Sequence, residues 1–109
     1  MAWLVRDGSV LAAAEVADGF AARCRGLLGR DRVEGALVIR RSRNVHTIGM
    51  RFAIDVAFCD AAGAVLRTCA LVPWRVSPVV VRSAFVIEAE AGAFDRWGLR
   101  VGDRVELRE

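Results

Sequence analysis

Apolar and polar positions alternate most cleanly between residues 51 and 59. There Phe52, Ile54, Val56 and Phe58 fall on one face, and Arg51, Ala53, Asp55, Ala57 and Cys59 on the other. A period of two is the signature of a half-buried strand, so the first set is expected to face a core. The same reading gives strands over 64–71, where Pro73 ends the strand or marks a sheet edge, and over 84–90 with Phe85, Ile87 and Ala89 inward and Glu88 on the non-core face. Residues 3–6 and 9–16 are β-prone runs split by Asp7-Gly8, a strong two-residue hairpin signal. Short strands are also expected at 36–40 and 104–107, the latter after the turn Val101-Gly102-Asp103. The period changes to a helical one at Phe20, Cys24, Leu27 and Leu28, with Asp18 as N-cap and Gly29 as the stop, and a second short helix is expected over 91–99. Residues 74–81 have no period and read as a loop. The sum is an α+β fold: a mostly antiparallel, strongly curved sheet or partly closed β-barrel of about six to seven strands, with two short helices.

Length and composition narrow this further. A chain of 109 residues with 55% hydrophobic and 27% charged residues supports one core, so a single domain over 1–109 is expected. No internal repeat or low-complexity tract is visible. No apolar run reaches the 18 residues of a membrane helix, and the start Met-Ala-Trp-Leu-Val-Arg-Asp turns polar by residue six, unlike a signal peptide. No membrane insertion and a cytoplasmic location are therefore the expectation. All sixteen cationic side chains are arginine, and the net charge is +3. Seven of those arginines lie between Arg23 and Arg43, against Asp31 and Glu34. Such a patch could draw nucleic acid, but no aromatic residue lies between Phe20 and Phe52 to stack on bases. A nucleic-acid partner is not expected.

Candidate chemistry is sparse. Cys24, Cys59 and Cys69 are odd in number and lack C-x-x-C spacing, so neither a disulfide frame nor a zinc site is indicated, and Cys59 and Cys69 are expected on opposite sheet faces as buried apolar residues. The single histidine, His46, reads either as a general acid or base or as a structural tie. On a straight strand Arg51 and Asp55 would stand roughly 13 Å apart, too far to neutralise one another. Glu88 is then a candidate partner for Arg51, and an anion could serve instead. No serine sits in a nucleophile elbow, and no cofactor or metal ligand set is indicated. His46, Thr47, Met50, Arg51, Asp55 and Glu88 form the candidate ligand-binding set. Three readings stay open: a binding or accessory module whose arginine-lined concave surface takes an anionic small molecule or an acidic partner segment; a hydrolase or isomerase with His46 or Asp55 as base; and a structural or assembly protein.

Four ordered blocks together resemble the DUF192 family, also called UPF0127. They are the run from Arg25 through Gly26, Leu27, Leu28 and Gly29 to Arg30, the run from Val45 to Phe58, Val86-Ile87-Glu88 with Ala91-Gly92, and Val101-Gly102-Asp103. The resemblance implies a fold rather than an activity. It also implies that the family's pattern centres on Met50, Arg51, Ile54 and Asp55 and on Glu88, Ala91 and Gly92. Many relatives carry an export signal or a lipoprotein-like start, and many have an aromatic residue where this chain has Gly49.

Overall fold

A computed structural model of the chain describes residues 2–18 and 33–109. Seven strands form one sheet: β1 (Ala2–Arg6), β2 (Ser9–Asp18), β3 (Ala36–Arg40), β4 (Ile54–Cys59), β5 (Val65–Leu71), β6 (Phe85–Glu90) and β7 (Val105–Arg108). Their order across the sheet is β5-β4-β6-β3-β2-β1-β7. Only β2 and β3 are parallel; every other neighbouring pair is antiparallel. The hairpin β1-β2 turns at Asp7 and Gly8, both with positive φ, as a type I′ turn requires.

The sheet curls until its two edges touch. Ala64 and Arg104 form an antiparallel bridge, supported by Val65 N–H donating to Asp103 O at 2.8 Å and Val105 N–H donating to Gly63 O at 2.9 Å. Contact at this one corner makes the sheet a strongly curled half-barrel. Gly63 is what permits it: its φ is +88°, and a Cβ there would lie 2.1 Å from Val105 O. No residue with a side chain fits that gap.

Curling gives the sheet two separate cores. The inner one gathers Leu4, Val38, Ala57, Cys59, Ile87 and Val105, and Phe94 enters it from the short helix α1 (Ala93–Trp97). The outer one gathers Leu37, Ile39, Ile54, Val56, Phe58 and Val86 beneath Val45, Met50 and Val80, which belong to the two long loops of residues 41–53 and 72–84. Phe52, Ile54, Val56 and Phe58 face this outer core as the alternation predicts, but the opposite face is buried too: Ala57 and Cys59 are both inaccessible. A period of two identifies the faces without saying what covers each.

Several element boundaries differ from expectation. β4 begins at Ile54 rather than at Arg51, because Met50 N–H donates back to Thr47 O and Gly49 takes a φ of +83°, turning the chain before the strand starts. Asp18 ends β2 opposite Arg40, and the helix expected over 20–28 lies outside the described residues. Among the described residues α1 is the single helix, so the architecture there is mostly β. Glu88, expected on a non-core face, is fully buried between Leu37 of β3 and Val56 of β4. The outer face of β6 is covered, which is the reason. Cys59 and Cys69 do lie against different cores, although a bulge at Phe58/Cys59 sets Cys69 opposite Val56.

Two consequences are measurable. Gly63→Ala combines backbone strain with an overlap on Val105 O, so it is expected to lower stability by at least about 2 kcal/mol in urea denaturation. Gly102→Ala, at a φ of +96° but with nothing within 4 Å of the added Cβ, is expected to cost only about 1 kcal/mol. The β7 turn is held by Asp103, which accepts hydrogen bonds from Arg100 N at 2.9 Å and Arg6 Nη1 at 3.1 Å. The Arg100 N–H first, and the Arg6 guanidinium with it, hold this carboxyl below its ordinary value of 3.8. A lowered carboxylate pKa stabilises the fold above the ordinary value and loses that contribution as pH falls through the lowered one. Asp103→Asn should therefore reduce the melting temperature at pH 7 and flatten its further decline below pH 3.8. Thermal melts of both proteins across that range check it.

Candidate functional site

The segment from Val45 to Arg51 is strapped to the loop that follows β5, and Thr47 is the strap. Thr47 is fully buried. Its N–H donates to Arg75 O at 2.8 Å, and its carbonyl accepts from Trp74 N at 3.0 Å. Its hydroxyl donates to Val72 O at 2.6 Å and accepts from Arg75 N at 2.9 Å. Next to it, His46 bridges Val76, and its Nδ1 accepts the Ile48 N–H at 3.1 Å. Val45 N–H donates to Ser77 Oγ at 2.9 Å, and Ser77 N–H donates to Val45 O at 2.8 Å. Backbone and hydroxyl groups of Val45, Thr47, Trp74, Arg75 and Ser77 fasten one loop to the other. That leaves their outward side chains to face solvent.

Those side chains are unusual for a surface. Ile48, Val72, Trp74, Val76, Val79 and Val81 are all exposed, Trp74 to 64% and Val81 to 70%. Isolated exposed apolar residues need no explanation, but six of them on two hydrogen-bonded loops do. Trp74 also has a φ of +66°, a left-handed backbone costly for a bulky side chain. The Thr47 hydrogen bonds hold it there. Arg51, Arg75 and Arg82 are exposed in the same two loops. Neither the run 35–54 nor the run 61–87 contains an acidic residue. The surface is apolar and positively charged together.

The other expected site residues go elsewhere. Met50 is buried in the outer core. Arg51 lies in the bend before β4, so it shares no strand face with Asp55. It is exposed whereas Glu88 is fully buried. Asp55 reaches α1: its Oδ2 accepts the N–H groups of Gly92 at 3.0 Å and Phe94 at 3.1 Å. Gly92, the residue at the N-cap, makes no side-chain cap of its own. Asp55 thus supplies from β4 the acceptor that the helix start needs.

Neither described cysteine is set up as a nucleophile. Burial pushes the Cys59 thiol up to about 12, with the Asp60 charge adding to it. Burial raises Cys69 as well, with the Arg67 charge pulling the other way and Asp55 adding to the rise. Both thiols stay protonated at neutral pH. Among the described residues no three His, Cys, Asp or Glu side chains converge as metal ligands, and no helix is long and apolar enough to cross a membrane. The exposed loop surface is the feature that the sequence reading missed, since residues 74–81 have no period. Its available signal was the acid-free run 61–87 around Trp74.

Comparison with known proteins places the chain among relatives of undefined activity. The DUF192 family profile, described as an uncharacterized ACR, matches residues 2–107. UPF0127 protein PF1050 of Pyrococcus furiosus is 30% identical over 95 residues, spanning 83% of this chain and 82% of that protein. A crystal structure of a protein of unknown function from Novosphingobium aromaticivorans superposes with a TM-score of 0.80 at 20% identity, covering 96% of this chain and 82% of that one. A putative transcription regulator from Sinorhizobium meliloti superposes with a TM-score of 0.75 at 22% identity, covering 96% and 90%. At those identities the two structures share the fold alone. The sequence match over nearly the whole length decides the family: this chain belongs to DUF192, also called UPF0127.

Proposed function

We propose that the chain is a small binding module whose paired loops, residues 45–51 and 72–82, dock an acidic segment of a partner protein that also carries apolar side chains. The observation that carries this reading is Trp74, mostly exposed with a left-handed backbone and held by Thr47. An exposed tryptophan in a loop that also exposes four valines offers the anchor contact that dominates protein interfaces. Exposed Arg75 and Arg82 select the sign of the partner and favour carboxylates through bidentate contacts. Of the residues first considered as a ligand set, Arg51 contributes directly to this surface. His46 and Thr47 support it from beneath.

The test is a display library of random twelve-residue peptides panned against the purified protein. Enriched peptides are expected to be rich in Asp or Glu with at least one large apolar residue. Trp74→Ser and Arg75→Glu should each weaken them at least tenfold, and added salt should weaken them further. Enrichment without charge bias, or binding indifferent to Trp74→Ser, would overturn the reading. Thr47→Val tests the support beneath the surface. Losing the hydroxyl strands the Arg75 N–H and should cost about 1–2 kcal/mol of stability in urea denaturation, while the folded variant binds the selected peptides more weakly.

A further inference from the structure

The half-barrel closes at a single corner, and beside that corner it stays open. A cleft of about 640 Å³ opens there between the end of β3, the start of β6, the β4-β5 turn and β7. Its size falls within the range of small-molecule sites, which favour the mouths of barrels. The helix α1 follows the far end of β6, after Glu90, and sends Phe94 into the inner core. Among the described residues no side chain from another element fills the near end in the same way, where Ala84 and Phe85 begin the strand.

The cleft joins an apolar floor to a charged rim. Val38, Phe85, Val105 and Leu107 line the floor and belong to the inner core or pack against it. Four charged side chains stand on the rim: Arg40, Arg41, Glu106 and Glu109. Arg40 is paired with Glu109 at 3.0 Å, and Glu106 is paired with Arg108. That leaves Arg41, whose guanidinium no hydrogen bond or ion pair holds among the described residues. The Arg41 backbone is left-handed, with a φ of +57°, and its N–H donates to Ala84 O at 2.8 Å. A left-handed arginine at the end of a strand costs about 1 kcal/mol or more relative to glycine. A glycine at this position would relieve that cost.

We infer that this mouth binds a small molecule with an apolar body and one carboxylate, the body on Val38, Phe85 and Leu107 and the carboxylate on Arg41. A planar guanidinium takes a carboxylate in two parallel hydrogen bonds. The residues are separate from the Trp74 surface, so the two proposals stand or fall independently.

The experiment is an amide NMR titration of the ¹⁵N-labelled protein with naphthalene-2-carboxylate and, in parallel, with naphthalene-2-methanol as its uncharged counterpart. Shifts are expected to concentrate at residues 38–41, 61–63, 84–85 and 105–109, with the carboxylate binding at least fivefold more tightly than the alcohol. The decisive variant is Arg41→Gly, which removes the cation while relieving the left-handed backbone, so that lost binding cannot be lost folding. It should leave alcohol affinity unchanged and bring carboxylate affinity down to it. Equal affinity for the two probes in the unmodified protein, shifts centred on Ile48 and Trp74, or no shifts at millimolar probe would each overturn the inference.

Discussion

Backbone hydrogen bonds between the segment 63–65 and the segment 102–105 bring the two edges of the sheet together, and they form because Gly63 has no side chain. An open seven-stranded sheet would expose unpaired edges on β5 and β7, a liability for association with other chains. Joining them at one corner forces the curl. The curl in turn creates an inner face with its own core, which the Phe94 ring enters from α1. Because only a corner closes, a cleft remains beside it. Among the described residues the convex outer face is covered by the loops of residues 41–53 and 72–84.

That division of labour explains why the residues with the most chemical promise in the sequence are used in construction. Asp55 caps a five-residue helix that has no side-chain cap of its own. Thr47 satisfies the backbone of a loop more than twenty residues away. Their neighbours Met50 and Ile54 seal the outer core from the same segment. Side chains that brace a surface need not touch what the surface binds. The exposed residues they position, Trp74 and the valines around it, carry no titratable group and attract no notice in a search for catalytic types.

Much of the fold was legible in the residues because it depended on local rules. The Asp7-Gly8 turn and the strands beginning at Ala36 and ending at Leu71 follow from turn chemistry or period, and the loop around Trp74 from the lack of a period. The candidate site was legible less well. Reading Arg51 as part of a strand was wrong because the Thr47-Met50 turn and the positive φ of Gly49 interrupt an alternation that looks unbroken. Glu88 reads as a residue of a non-core face because an alternating strand names two faces but does not reveal that both are covered.

By itself the sequence determined the strand periods, the turn positions, the family and the uneven placement of arginines against acids. Those are properties of neighbours along the chain, where sterics and hydrophobic spacing act over a few residues. Only the tertiary structure decided that Asp55 meets Gly92, that Thr47 carries Trp74, and that Arg41 overlooks a cleft floored by Val38 and Phe85. Each of these joins segments tens of residues apart, and their meeting depends on how far the sheet curls before its edges touch.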